Sequence, residues 1–225
     1  MISVSCIIPA HNEALRIGNV LEAVIRHPLL CEIIVVDDAS SDGTAELAQR
    51  QGITVIRLPE NRGKSQAVAE GIAAAAGSHL LLLDADLVGL TADDITSLIQ
   101  PVQQQQADVT ISLRRNSPFL WRVIGLDYIS GERVFARAMI AARLDELRSL
   151  PHFGLEVWLN QIWIAQNARV RVVKWPRVIS PYKAAKMGWL RGLRADAAMM
   201  RDIFHTISLG EALRQIITLL RRRRA

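Results

Sequence analysis

The chain has 225 residues and a mass of 25.0 kDa; 50% of the residues are hydrophobic, 22% are charged, and the formal net charge is +5. That balance fits one globular domain with a short extension and excludes a disordered or collagen-like chain. No apolar run approaches the roughly 18 residues of a spanning helix, and residues 1–13 lack the basic lead and small-residue cleavage site of a signal peptide, so a cytoplasmic protein is expected.

The net charge hides an asymmetry. Residues 1–112 carry 6 basic and 14 acidic residues, a balance of −8, whereas residues 113–225 carry 21 and 8, a balance of +13. All five tryptophans, Trp121, Trp158, Trp163, Trp175 and Trp189, lie in the basic half. Two halves with different jobs are expected.

Strand-like runs rich in Val, Ile and Leu occupy residues 4–8, 32–36, 54–58, 80–83 and 109–113. Helical spacing follows each of the first four, marked by Leu15, Leu21, Val24 and Ile25, then Ala45, Leu47 and Ala48, then Ala67, Val68, Gly71, Ile72 and Ala75. Thr91-Ala-Asp-Asp94 opens the fourth with a capping box ahead of Ile95, Leu98 and Ile99. Continuous apolar strands alternating with helices predict an α/β fold with a mostly parallel sheet buried on both faces. Cys6 and Cys31 sit in two of the strand runs and are expected to be core thiols of a reducing compartment. Gln103 to Gln106 read as a solvated helix end.

Beyond residue 113 the rhythm loosens. Residues 131–142 and 155–168 are predicted helical, residues 170–174 a strand that Trp175-Pro176 ends, 183–206 a glycine-interrupted helix, and 209–224 a basic amphipathic helix. The last has an apolar stripe of Leu213, Ile216, Ile217 and Leu220 and ends in Arg221 to Arg224. The stripe packs on an anionic membrane surface, on the protein itself, or on a second subunit in a homodimer. No nucleic-acid recognition module accompanies the arginines, so no specific nucleic acid is expected.

Ligands of parallel sheets bind beyond the carboxyl ends of the strands. Those ends are Pro9-Ala10-His11-Asn12-Glu13, Asp37-Asp38-Ala39-Ser40-Ser41-Asp42-Gly43-Thr44, Asn61-Arg62-Gly63-Lys64 and Asp84-Ala85-Asp86. Asp37, Asp38, Asp84 and Asp86 cannot share a small space without a cation or hydrogen-bond donors. Hard oxygen ligands favour Mg²⁺ or Mn²⁺, and Gly63-Lys64 at a helix start suits an anion such as a phosphate. A diphosphate bridged by a metal to Asp86 meets all of these demands. Asp42 either caps the second helix or touches the ligand, and His11 reads as an ordinary polar loop residue.

As an ordered set, these motifs resemble the family 2 nucleotide-sugar glycosyltransferases of the GT-A fold, a Rossmann-like sheet flanked by helices, over about residues 3–113. The resemblance implies that Pro9, Ala10, Asn12, Glu13 and Asp38 bind the nucleotide part of a UDP- or GDP-linked sugar. Gly63 and Lys64 would meet its phosphates, Asp84 would face ribose or sugar, and Asp86 would hold the Mg²⁺ or Mn²⁺. More faintly, Ser130-Gly-Glu-Arg133, Phe153-Gly-Leu-Glu-Val157 and Lys183-Ala-Ala-Lys186 look like a narrower bacterial group near glucosyl-3-phosphoglycerate synthase and the polyprenyl-phosphate sugar transferases. That implies Ser130, Gly131 and Arg133 on the side of a phosphorylated or lipid-linked acceptor, with Glu156 orienting or deprotonating its hydroxyl and, together with Asp86, carrying catalysis. The chain divides on this reading into a donor half (1–113), an acceptor half (114–182) and a basic extension (183–225).

One position departs from the pattern. Relatives often carry a metal-binding histidine where Ser180 or Pro181 stands here. Three alternatives stay open: Asp86, phosphates and water hold the metal; His152 or another group completes the shell; or activity is weakened. The resemblance thus leaves an enzyme, peripheral on the cytoplasmic face of a membrane or free, and beside it a non-catalytic sugar-nucleotide binder or membrane-associated scaffold of the same fold.

Overall fold

The computed structural model describes residues 2–50, 52–150, 154–181 and 208–222. The expected helix over 183–206, the Lys183 to Lys186 segment, Trp189 and His152 lie outside the described residues.

The apolar runs become the strands β1 (Val4–Ala10), β2 (Leu30–Asp37), β3 (Ile53–Arg57), β4 (His79–Leu82) and β5 (Val109–Arg114). Between them lie the helices α1 (Ile17–Val24), α2 (Thr44–Ala48), α3 (Lys64–Ala74) and α4 (Ala92–Gln103). The capping box is present: Asp94 N donates to Thr91 Oγ1 at 3.3 Å and Thr91 N to Asp94 Oδ2 at 3.0 Å. There follow α5 (Phe119–Ile124), β6 (Arg133–Ala136), α6 (Leu144–Arg148), α7 (Leu155–Ala165), β7 (Val170–Trp175) and α8 (Leu209–Arg222).

The seven strands form one mixed sheet in the order β3-β2-β1-β4-β6-β5-β7. The β1, β2, β3 and β4 pairings are parallel, as is β5 with β7; β6 runs antiparallel between β4 and β5. Alternate residues feed two cores, because side chains on a strand alternate between faces. Ile7, Ile34, Val36, Leu80 and Leu82 pack with α3, α7 and α8. Cys6, Ile8, Val35, Leu81 and Leu83 pack with α1 and α4.

Three expectations need correction. Residues 131–142 do not form a helix: Arg133–Ala136 is a strand followed by two short 3₁₀ turns, Arg137–Met139 and Ala141–Arg143. Val134 and Phe135 enter opposite cores, which only extended backbone allows, and the gap between β4 and β5 supplies pairing on both sides. Cys31 is exposed, because β2 sinks into the core only from Ile33 onward; Cys6 is buried, and burial pushes its thiol pKa up. The stripe on α8 is divided: Ile216 and Leu220 pack against the core beside fully buried Leu219, whereas Leu213 and Ile217 are 51% and 48% exposed. Among the described residues no helix is long and apolar enough to cross a membrane.

Candidate active site

The loops after β1 and β2 are laced together. Asp38 N donates to Ala10 O at 2.8 Å, Asn12 N to Ser40 Oγ at 2.9 Å, and Ser41 N to Asn12 Oδ1 at 2.9 Å. Glu13 N donates to Thr44 Oγ1 at 2.9 Å. Asn12 and Ala39 adopt left-handed φ values of 54° and 55°. Such a backbone costs a non-glycine residue on the order of 1 kcal/mol or more and persists where surroundings over-determine it. Pro9 and Ala10 contribute main chain to this edge, since the Ala10 side chain is buried. His11 is exposed, with Nδ1 2.7 Å from Asp38 O. Asp42 accepts from Ala14 N and from the amide and hydroxyl of Thr44. Desolvation raises its pKa, but these hydrogen bonds outweigh it and hold the carboxyl below its ordinary value. Asp42 thus ties the loop to Ala14 and Thr44, while the N-cap of α2 is Gly43 with no side-chain bond.

Asp38 shapes the next loop. Its two oxygens accept from Arg62 N at 2.8 Å and Gly63 N at 2.7 Å, which turns the chain into α3. Lys64, the first residue of α3, then reaches Asp84 Oδ1 at 2.7 Å and Glu156 Oε1 at 2.9 Å. Desolvation would lower the ammonium pKa; the two carboxylates prevail and raise it. Lys64 therefore stays charged and joins the first-half motifs to Glu156, 92 positions away. Glu156 lies in the first turn of α7, where a negative charge suits the helix dipole.

Asp84 is backed by Gly131, expected on the acceptor side, and by a cation that the motifs did not single out. A Cβ on Gly131 would lie 2.6 Å from both Asp84 oxygens, so any side chain there would push the carboxylate aside. Arg114, at the carboxyl end of β5 with 12% of its side chain exposed, lies 3.1 Å from Glu132 Oε1, 3.7 Å from Asp127 Oδ2 and 3.9 Å from Asp84 Oδ2. Glu132 is fully buried, and Ser112 and Ser130 hydroxyls donate to its Oε2 at 2.6 and 2.8 Å. Burial raises the Glu132 pKa, against the pull of Arg114.

Two of the residues expected on the acceptor side face the protein interior. Ser130 and Arg133 are fully buried and turn inward. The Arg133 guanidinium donates to Ser130 O at 2.6 Å, Asn160 Oδ1 at 2.7 Å and Tyr128 O at 3.0 Å, and it lies 4.9 Å from the Trp163 ring centroid. Its donors serve the protein, because a buried charge must be paired internally. Gly131 alone of the three remains at the site, against Asp84.

Asp86 sits one strand-end turn beyond Asp84, and Ser180 Oγ donates to its carboxylate at 3.2 and 3.3 Å. Ser180 is itself clamped: Asn116 Nδ2 donates to Ser180 O at 2.6 Å and Ser180 N to Asn116 Oδ1 at 3.2 Å. Just upstream, Ile179 pairs with Val88, and Gly89, with φ of 79°, lies so close that a Cβ would be 2.7 Å from Arg177 O. The residue standing where relatives often carry a histidine thus bonds Asp86 through its hydroxyl.

The donor set fits Mg²⁺ or Mn²⁺ of the kind that keeps waters and binds through one or two carboxylates plus substrate phosphates. Asp86 is a hard oxygen donor beside Asp84 and Ser180. Among the described residues no group of three His, Cys, Asp or Glu side chains could hold a metal without such help. Arg114 and Asp127 are the residues the sequence reading missed; Glu132 was read only inside its motif and Ser180 only as a departure. Arg114 carried a usable signal, a cation at the end of a fifth strand of the same sheet.

Known proteins bear on this arrangement. Glucosyl-3-phosphoglycerate synthase from Mycobacterium tuberculosis, crystallised with Mn²⁺, UDP and glucosyl-3-phosphoglycerate, matches with a TM-score of 0.73 at 20% identity, over 91% of this chain and 80% of that one. The same protein with Mg²⁺ and UDP gives 0.72 at 19% identity, over 91% and 79%. These likenesses establish a shared GT-A fold. In sequence, 4,4'-diaponeurosporenoate glycosyltransferase of Staphylococcus aureus (strain bovine RF122 / ET3-1) is 35% identical over 108 residues, 46% of this chain and 29% of that protein. The USA300 counterpart is 34% identical over the same span. The chain matches less than a third of the length of these relatives. The family model for glycosyl transferase family 2 matches residues 5–154, which hold every strand-end motif and the Arg114 to Arg133 cluster, and the chain belongs to that family.

Proposed function

We propose that the protein is a metal-dependent glycosyltransferase that moves a sugar from a UDP- or GDP-linked donor to an acceptor hydroxyl or phosphate. The observation that carries this reading is the Lys64 bridge. One ammonium touches Asp84 on the donor edge and Glu156 on the acceptor side, so a diphosphate at the start of α3 lies next to a carboxylate able to take an acceptor proton.

The chain's own groups divide the work. The α3 N-terminus and Lys64 receive the diphosphate, and Ser65, the next residue, has a buried hydroxyl with no hydrogen-bond partner in the described structure. Asp38 keeps the Arg62-Gly63 amides in place beneath it. Asp84, held by Lys64 and backed by Gly131, faces the sugar or ribose. Glu156 orients the acceptor hydroxyl and accepts its proton. Asp86, steadied by Ser180, would hold Mg²⁺ or Mn²⁺, which when bound stabilises the negative charge gathering on the departing diphosphate.

The relatives point to two acceptor classes, a small phosphorylated acid in one name and 4,4'-diaponeurosporenoate in the other. Leu213 and Ile217, exposed on α8 with Arg214 and Arg221, support contact with an anionic membrane surface and so a lipid-linked acceptor met at the cytoplasmic face. The test is to incubate the protein with Mn²⁺, UDP- and GDP-sugars and acceptor extracts, and to measure nucleoside diphosphate release. Release that requires both metal and acceptor is expected. Tight nucleotide binding with no release from any donor would instead identify a non-catalytic binder.

A further inference from the structure

The last helix grips α7 at both ends. At the carboxyl end of α7, Arg222 Nη1 donates to Ile164 O at 2.7 Å and Nη2 to Asn167 Oδ1 at 2.8 Å. Toward its amino end the link runs through polar groups inside the core. Tyr128 OH donates to Gln215 Oε1 at 2.7 Å, and both residues are almost fully buried. The Tyr128 carbonyl in turn accepts from Asn160 Nδ2 and Arg133 Nη2, each at 3.0 Å. Arg133 Nη1 closes the circuit onto Asn160 Oδ1 at 2.7 Å and Glu156 O at 3.4 Å. Asn160 stands one helical turn past Glu156.

Docking α8 by apolar contact alone would need none of this. A buried Tyr–Gln bond is costly when unmade, so it selects one register of α8 against the core. The residue that reads this register, Tyr128, is also the one whose carbonyl sets the first turns of α7. We infer that α8 is a positioning element of the acceptor site: through Gln215, Tyr128 and Arg133 it fixes the helical turn that presents Glu156. The inference rests on Glu156 acting at the acceptor, as proposed above. It gives the α8 inner face a task separate from any surface that Leu213 and Ile217 meet on the outside.

The experiment uses the full chain with Gln215→Leu, and Tyr128→Phe as the second variant should the first fail to fold. Calorimetric affinity for UDP with Mn²⁺ is expected to stay within about twofold of wild type, since the circuit meets the donor loops only through the Glu156 to Lys64 ion pair. The kcat for transfer should fall about tenfold, the size of one unmade buried hydrogen bond. In a Glu156→Gln background the same substitution should cost almost nothing more, because residues acting through one another are not additive. Amide hydrogen exchange over residues 155–160 should quicken while β1 and β4 stay protected. Exchange at 155–160 equal to wild type overturns the inference, and so does a kcat loss that multiplies in full with Glu156→Gln. If wild type shows no turnover, the exchange still decides: quickened exchange at 155–160 upholds the coupling while the transferase reading alone fails.

Discussion

At the donor edge, Asp38 is satisfied by two main-chain amides 24 and 25 residues downstream, and Asn12 by the amide of Ser41 and the hydroxyl of Ser40. Around β6, Glu132 is buried between Arg114 and two serines, and Arg133 is buried among Asn160, Ser130 and Tyr128. The first kind of tie is a short side chain on backbone, exposed at Asn12 and buried at Asp38, worth about 1–3 kcal/mol each. The second is a charge removed from water, where losing one partner costs about 3–5 kcal/mol. Substitutions at the half-exposed Asp84 and Asp86 should therefore change binding and leave the fold standing, whereas those in the buried cluster around β6 should strike stability first.

Asp86→Ala should give the largest effect on chemistry, a loss of about 10³-fold in metal-dependent turnover, with thermal stability unchanged. Nucleoside diphosphate release and a melting curve check both halves. Arg133→Met is the counterpart in the buried cluster: it removes the donor to Ser130 O and Asn160 Oδ1 in the core and should cost about 3 kcal/mol in urea unfolding, while UDP affinity with Mn²⁺ stays near wild type. A variant as stable as wild type but weak in acceptor affinity would return Arg133 to the acceptor surface. Gly131→Ala lies between the two, since its methyl group displaces the Asp84 carboxylate. Turnover should drop about 10–100-fold in a chain that still folds. Ser180→Ala should lower Mn²⁺ affinity, read by electron paramagnetic resonance with UDP present, only about three- to tenfold, because Ser180 steadies Asp86 without replacing it.

The smallest effect is a pH dependence. Burial raises the folded-state pKa of Glu132 above its ordinary value of 4.5, so the native protein keeps that proton to higher pH than the unfolded chain does. This stabilisation is complete below the unfolded pKa and is lost as pH rises through the folded value. Glu132→Gln should flatten that decline in melting temperature. An unchanged slope would show that Glu132 is ionised in its pair with Arg114.

Much of this contrast was legible in the residues, and unevenly so. β1 to β5 are continuous apolar runs, and the donor residues stand at their ends, where parallel-sheet geometry gathers them. β6 was not legible: four residues are too short to separate a strand from a helical turn, and the space between β4 and β5 decides the outcome. Arg133 misled because arginine is rarely fully buried; nothing near it in sequence announces Asn160 or the Tyr128 carbonyl. Ser180 could be seen as a departure, but its contact with Asp86 depends on Asn116 and the Val88 to Ile179 bridge, which bring distant segments together. The strand-end residues repeat as short motifs, whereas the buried cluster around β6 gathers Arg114, Asp127 and Asn160 with no motif to announce them.

The most direct test is anomalous diffraction at the manganese edge from crystals grown with UDP and Mn²⁺. The account predicts one manganese about 2.0–2.3 Å from an Asp86 carboxylate oxygen, with the diphosphate against the first turn of α3 beside Lys64. Manganese and nucleotide bound away from Asp86 and Lys64 would contradict it.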